Sequence, residues 1–206
     1  MPSCIILAGG RGKRMKSDKA FIKIGGQEII SIQIDLLSGI FDEILIVANR
    51  NQVEGFSVFE RRGAKVVREI YEGIGPLGGI ASGLALSSFE ECFVLACDMP
   101  FIKRKAVEYV LGRLPGYMVS VPQTPSGLEP LHAAYSKGCL EVIREQMKSG
   151  NYKVTGFFQQ VKVNYISWEE ISSFDDTGML LFNVNTPSDL RLARHHFEKQ
   201  GSCAMS

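Results

Sequence analysis

The chain has 206 residues, 45% of them hydrophobic and 22% charged, with a formal net charge of +1. That length and balance fit one generous globular domain and exclude disordered and fibrous classes. The near-neutral charge excludes a broad field for nucleic acid or an anionic membrane, so any cationic site must be local.

No apolar run reaches the roughly 18 residues of a membrane span, and a strand-like segment follows the first residues without a charged leader. The expectation is a cytoplasmic protein with neither membrane nor nucleic acid as partner. Cys4, Cys92, Cys97, Cys139 and Cys203 are odd in number and show no CxxC spacing, so they read as small apolar fillers rather than disulfides or zinc ligands. His132, His195 and His196 are too scattered for a ligand set and read as structural.

In chain order, residues 3–8 read as a strand and 28–39 as a helix with apolar spacing near 3.6. Residues 41–48 and 64–68 read as strands, 77–88 as a helix, and 92–97 as a fully apolar, buried strand. Residues 103–114 and 137–148 form amphipathic helical patterns, with a strand over 118–122 that leads into the turn-rich stretch QTPSGLEP, expected as a surface loop. Residues 161–166 and 180–184 read as further strands, and Pro187 opens the last helix. Residues 1–200 are assigned to one domain and 201–206 to a frayed tail.

This alternation predicts an α/β fold: a Rossmann-like three-layer domain with a mostly parallel central sheet, helices on both faces, and one strand reversed late in the chain. In such sheets ligands gather beyond the carboxyl ends of the strands. Three polar or glycine-rich segments fall there: residues 9–19, 69–79 and 98–99.

The first of these, in LAGGRGKRMKSDKA, packs three glycines, two arginines and three lysines. Glycines let backbone N–H groups turn toward an anion, and Arg11, Lys13, Arg14 and Lys19 can neutralise its charge. The segment is not a Walker A loop, because Gly12-Lys13 is followed by Arg14 rather than Ser or Thr. A literal GxGxxG occurs at Gly73, Gly75 and Gly78, but Pro76 stiffens it and the phosphate-suited loop already follows strand one, so dinucleotide binding is a minor reading. Asp98 closes the strand FVLAC at the ligand edge. A hard carboxylate there suits Mg²⁺, the competing reading being a helix N-cap before Met99-Pro100. Transfer of a nucleotidyl group to an anionic phosphate needs positioning, charge neutralisation and a metal more than a nucleophile, and no hydrolase motif is visible.

Taken in order, LAGGRGKRMKSDKA, GIGPLGGIASGL, LACDMP, EPLHAAY and FNVNTPSDL resemble the molybdenum cofactor guanylyltransferase (MobA) family over nearly the whole chain. The resemblance implies an enzyme that moves GMP from GTP to the terminal phosphate of the molybdenum-pterin cofactor with Mg²⁺. It implies that Leu7, Ala8, Gly9 and Gly10 contact GTP, that Lys19 contacts its phosphates with Arg14 beside them, and that Asp98 holds nucleotide and metal. Gly75, Pro76 and Leu77 match the loop near the guanine, and Asn183 and Asn185 the asparagines of the acceptor side.

Two departures accompany this match. Glu69 stands where the family usually has Asp, with a following loop one residue shorter, and Val47 stands where a nucleotide-contacting Asn is found, leaving only its backbone to act. Arg14, Lys19 and Asp98 are the residues expected to carry catalysis. Molybdoenzymes or cofactor-insertion proteins are the further partners the resemblance suggests. The alternatives are transfer with another base or to a sugar phosphate, and a non-catalytic nucleotide- or cofactor-binding protein.

Overall fold

A computed structural model describes residues 1–9 and 19–203, excepting the side chains of Lys19 and of residues 200–203. Its elements are β1 (Pro2–Leu7), β2 (Lys23–Ile24), β3 (Gln27–Glu28), α1 (Ile29–Leu37), β4 (Glu43–Ala48), α2 (Val53–Phe56) and β5 (Ala64–Arg68) in the first part. There follow α3 (Pro76–Leu86), β6 (Glu91–Ala96), α4 (Arg104–Gly112), β7 (Val119–Thr124), β8 (Gly127–Leu128) and β9 (His132–Ser136). The chain continues through α5 (Cys139–Lys148), β10 (Val163–Ile166), α6 (Trp168–Ser172) and α7 (Pro187–Cys203).

The main sheet runs in the order β10-β7-β9-β6-β1-β4-β5. β1 is parallel to both β4 and β6, while β9 is antiparallel to both β6 and β7. β7 therefore runs the same way as β6, and β10 pairs parallel with β7. The carboxyl ends of β1, β4, β5, β6, β7 and β10 thus share one edge, which is where this architecture binds ligands.

Alternation along β1 divides the interior into two layers. Cys4, Ile6 and Ala8 face a cluster with Ile30, Ile34 and Leu37 of α1 and Ala106, Val107 and Val110 of α4. Ile5 and Leu7 face the other side, against Leu77, Ile80, Ala81 and Leu84 of α3 and Leu140 and Ile143 of α5. Side chains of this size, taken fully out of water, each contribute roughly 1.5–3 kcal/mol before the entropy of ordering is subtracted. Cys4, Cys92, Cys97 and Cys139 are buried and form no disulfide among the described residues, in line with their reading as fillers.

A third cluster carries functional weight. Ile22, Ile24 and Ile29 pack with Phe101, Val184 and Ala193, joined by Phe182, Leu190 and Phe197. It fastens the β2–β3 hairpin and the last helix to the loop that follows β6.

Three expectations change. Residues 180–184 do not form a strand, because their backbone donors are committed elsewhere: Leu180 N donates to Asp175 Oδ2 at 2.7 Å and Val184 N to Asp98 O at 2.9 Å. QTPSGLEP is not a plain loop but the tip of a hairpin, in which Gln123 pairs with Leu128 and Thr124 with Gly127. The reversed strand is β9, within EPLHAAY, a segment too short and too rich in Ala to announce itself by alternation. Residues 201–203 continue α7 as helix, and residues 204–206 lie outside those described. Among the described residues no helix is long and apolar enough to cross a membrane.

Candidate active site

Asp98 sits two residues past β6, half-buried, in a turn whose backbone is held from several directions. Cys97 N donates to Leu7 O at 3.2 Å, Ala96 N to Leu131 O at 3.1 Å, and Val184 N to Asp98 O at 2.9 Å. From beneath, Gln33 Nε2 donates to Ala96 O and Met99 O, both at 2.9 Å. The N-cap reading of Asp98 falls away, because the next helix begins at Arg104 with Lys103 in the cap position. The bond from Val184 also explains the two asparagines: Val184 is fully buried, and Asn183 and Asn185 flank it beside the Asp98 turn. Asn185 N and Thr186 N donate to Asp189 Oδ2 at 2.9 and 2.8 Å, and Asp189 N donates to Thr186 Oγ1 at 3.2 Å, a reciprocal box that starts α7 and fixes where this segment turns away.

On the other side of β1, Glu69 follows β5, its N–H donating to Ala48 O at 2.8 Å. Only 8% of its surface is exposed. Its carboxylate is cradled by two glycines: a Cβ on Gly9 would lie 3.0 Å from Oε2, and one on Gly78 would lie 3.1 Å from Oε1. Burial, reinforced by the charge of Glu72, pushes the Glu69 carboxyl up to about 7. The next turn is tied to α3 by Ser82, whose hydroxyl accepts from Ile70 N at 2.8 Å and Tyr71 N at 3.2 Å while donating to Gly78 O at 2.7 Å. Gly75 takes φ +84° just ahead of Pro76, a left-handed conformation that favours glycine and starts α3 with its N-terminus at the ligand edge.

The structure brings most of the expected residues to one edge. Gly9, Gly75 and Pro76 are exposed there, with Glu69 set deeper between Gly9 and Gly78. Leu7, Ala8 and Leu77 are buried, so their side chains shape the floor and any ligand contact is through backbone. Val47 does not offer a free backbone group in place of the missing Asn, since its carbonyl already accepts from Ala8 N at 2.9 Å and Gly9 N at 3.1 Å. Gly10, Arg11, Lys13 and Arg14 lie outside the described residues, as does the side chain of Lys19, whose backbone opens a single 3₁₀ turn over Lys19–Phe21. Gly73, Gly75 and Gly78 do not act as a dinucleotide fingerprint. Gly78 is needed because a Cβ there would collide with the Tyr71 carbonyl, which is an internal approach rather than one toward a pyrophosphate.

Sequence reading passed over Gln33. The signal available was one long amide side chain on the mostly apolar inward face of IISIQIDLL, where the only other buried polar residue is the small Ser31. Its target, a pair of carbonyls more than 60 positions away, could not be read from the sequence.

Among the described residues no group of three or more His, Cys, Asp or Glu could cage a metal. Asp98 alone, a hard oxygen donor at the ligand edge, fits a magnesium-like ion that takes one or two carboxylates and completes its shell with substrate phosphates and water.

Comparison with known proteins agrees with this arrangement. Residues 4–163 match the profile of the MobA-like NTP transferase domain. The probable molybdenum cofactor guanylyltransferase of Pelotomaculum thermopropionicum is 40% identical over 190 residues, 92% of this chain and 90% of its own. The molybdenum cofactor guanylyltransferase of Desulfosudis oleivorans is 31% identical, with 92% of each chain covered. Among solved structures, molybdopterin-guanine dinucleotide biosynthesis protein A from Archaeoglobus fulgidus superposes with a TM-score of 0.83 at 26% identity, covering 97% of this chain and all of that one. With its matched sheet, its site-bearing loops and these relatives, the chain belongs to the MobA-like NTP transferase family, alongside the molybdenum cofactor guanylyltransferases.

Proposed function

We propose that this protein transfers GMP from GTP to the terminal phosphate of the molybdenum-pterin cofactor, with Mg²⁺ as its metal, in the cytoplasm. The observation that carries the reading is the pair of carboxylates on opposite sides of the β1 end: Glu69 buried between Gly9 and Gly78, and Asp98 in a turn tied to Val184. They suit two different tasks.

Glu69 reads the base. Guanine offers N1–H and a 2-amino N–H on one edge, and a buried carboxylate accepts both, whereas adenine, with an unprotonated N1, meets the same group with a mismatch. The extra methylene of Glu relative to Asp makes up for the shorter loop that follows it. Asp98 faces the phosphates and is the residue that would hold the metal. A divalent ion bound there supplies charge neutralisation at the phosphoryl oxygens and a template for their alignment.

Arg14 and Lys19 belong to the basic stretch that follows Gly9 in the sequence. Their role in this reading is to hold the triphosphate and stabilise charge as it shifts toward pyrophosphate. Asn183 and Asn185 hold the acceptor's terminal phosphate in line with the α-phosphorus. A phosphate oxygen of the acceptor bonds to the α-phosphorus, the bond from that phosphorus to the bridging oxygen of the β-phosphate breaks, and pyrophosphate leaves with that electron pair. The nucleophile is already anionic, so no base is required.

The test is pyrophosphate release from the purified protein with molybdenum-loaded pterin cofactor, Mg²⁺ and each of GTP, CTP, ATP and UTP. GTP-selective release supports the reading. Release with a different nucleotide, or none with any, overturns it.

A further inference from the structure

Gln33 is fully buried on α1, between the apolar side chains that seat this helix on the sheet. A buried amide is costly unless its hydrogen bonds are made. Here the two N–H groups of Nε2 are matched by Ala96 O and Met99 O, each at 2.9 Å. Two carbonyl acceptors facing one end of the amide fix which end is nitrogen. Oε1 has no hydrogen-bond partner among the described residues, so the side chain is not placed to satisfy itself. Its polar contacts all go to one target, the two carbonyls that bracket Cys97 and Asp98.

We propose that Gln33 is a positioning residue for Asp98. By drawing the Ala96 and Met99 carbonyls toward one nitrogen, it closes the turn between them and sets the direction in which the Asp98 carboxylate leaves the backbone. Val184 N holds Asp98 O from the opposite end of the chain, at 2.9 Å. The carbonyls of Ala96, Asp98 and Met99 thus each have a donor from a distant segment. Gln33 supplies two of these three carbonyl bonds from a single helix, so its loss leaves the Ala96 and Met99 carbonyls without that shared donor while the backbone bonds of Ala96 N and Cys97 N remain. The inference rests on the reading of Asp98 as the metal-holding carboxylate. It adds that the site's metal affinity is set partly from beneath, by a residue that touches neither metal nor substrate.

The experiment is Mn²⁺ binding in the presence of GTP, followed by the electron paramagnetic resonance of free Mn²⁺, for wild type, Gln33→Met, Asp98→Asn and Ile143→Ala. Ile143 is a fully buried residue of the opposite layer and serves as a control for general destabilisation. Loss of a group that orients a metal ligand weakens metal affinity about 10- to 100-fold. Gln33→Met is expected to raise the Mn²⁺ Kd by that order while leaving metal-free GTP binding unchanged, and Ile143→Ala to lower the melting temperature without moving the Mn²⁺ Kd. A wild-type Mn²⁺ Kd in Gln33→Met, with Mn²⁺ binding lost in Asp98→Asn, overturns this inference alone. Unaltered Mn²⁺ binding in Asp98→Asn overturns the reading of Asp98 and this inference with it. If Gln33→Met does not fold, Gln33→Asn replaces it. Its amide is one methylene too short to reach both carbonyls, and an intermediate Kd is expected. Failure of both variants to fold assigns Gln33 to the core alone and also overturns the inference.

Discussion

The amide of Val184 donates to the carbonyl oxygen of Asp98 at 2.9 Å, across 86 positions of sequence. This single bond joins the segment FNVNTP to the turn after β6 and brings Asn183 and Asn185, the chain neighbours of Val184, beside the turn of the proposed metal-holding residue. If Asp98 holds the metal, Asp98→Asn lowers kcat by ~100-fold or more, the usual cost of losing one charge-stabilising group, with little change in melting temperature. Steady-state turnover and a thermal melt on the same sample check this.

Asn183 is the acceptor-side test. Asn183→Ala is expected to raise KM for the pterin cofactor about 10-fold, the worth of one hydrogen bond to a charged phosphate, while KM for GTP stays near wild type. An equal rise in both constants would place Asn183 on the nucleotide instead.

Glu69 makes GTP affinity depend on pH. Its carboxyl is pushed up to about 7 from an ordinary 4.5, by burial first and then by Glu72. Guanine needs the ionised form, so the Kd for GTP rises as pH falls below about 7. In Glu69→Gln that component of the profile is absent and affinity is lower throughout. The difference between the two Kd profiles, from about pH 5.5 to about 8, isolates Glu69 from the titration of the nucleotide's own phosphate. The stability effect has the opposite sign. A carboxyl raised in the folded state binds its proton more tightly there, so its contribution is fully present below 4.5 and is lost as pH rises through about 7.

Gly78→Ala tests the cradle. The new Cβ would collide with the Tyr71 carbonyl and crowd Glu69 Oε1. The backbone around Tyr71 and Gly78 must shift, at about 1–3 kcal/mol as for other overpacked positions, and KM for GTP rises with it. Chemical denaturation and GTP titration of the variant measure the two effects.

His132 offers a stability test away from the chemistry. It is fully buried with its ring edge-on to Phe93 at 5.1 Å, and neither nitrogen has a hydrogen-bond partner among the described residues. Burial holds its pKa down at about 3, against 6.5 for an ordinary imidazole. Between those values the unfolded chain binds a proton that the folded chain does not, so stability is present above 6.5 and falls away as pH drops toward 3. His132→Leu removes both orphaned nitrogens and is expected to stabilise by about 1–3 kcal/mol and to flatten that acid limb. Urea midpoints at pH 5 and at pH 7.5, about one unit or more either side of the ordinary imidazole value, give both results.

Much of this was legible in the sequence, because the relevant signals are local. A βα alternation with apolar strands announces a parallel sheet, and glycine-rich or acidic punctuation after a strand announces the ligand edge. Asp98 after FVLAC and the glycines around Pro76 needed no more than that. The reversed strand β9 was not legible, since HAAYS has neither length nor alternation and becomes a strand only because β6 and β7 present backbone donors and acceptors on both sides of it. Residues 180–184 show the converse: a strand-like composition whose amides were claimed by Asp175 and Asp98.

What the sequence by itself determined is the kind of chemistry and the order of the parts, because phosphate-suited loops, turn glycines and strand-terminal carboxylates are properties of short segments. What only the tertiary structure decided is how those parts are aimed. The burial that shifts Glu69 arises where Gly9 and Gly78 meet from separate elements. The attitude of Asp98 is fixed by Gln33 and Val184, which approach it from helix α1 and from the segment before α7. Burial and hydrogen-bond direction depend on which distant segments are packed against a residue, and that is decided only when the sheet and its two helical layers close.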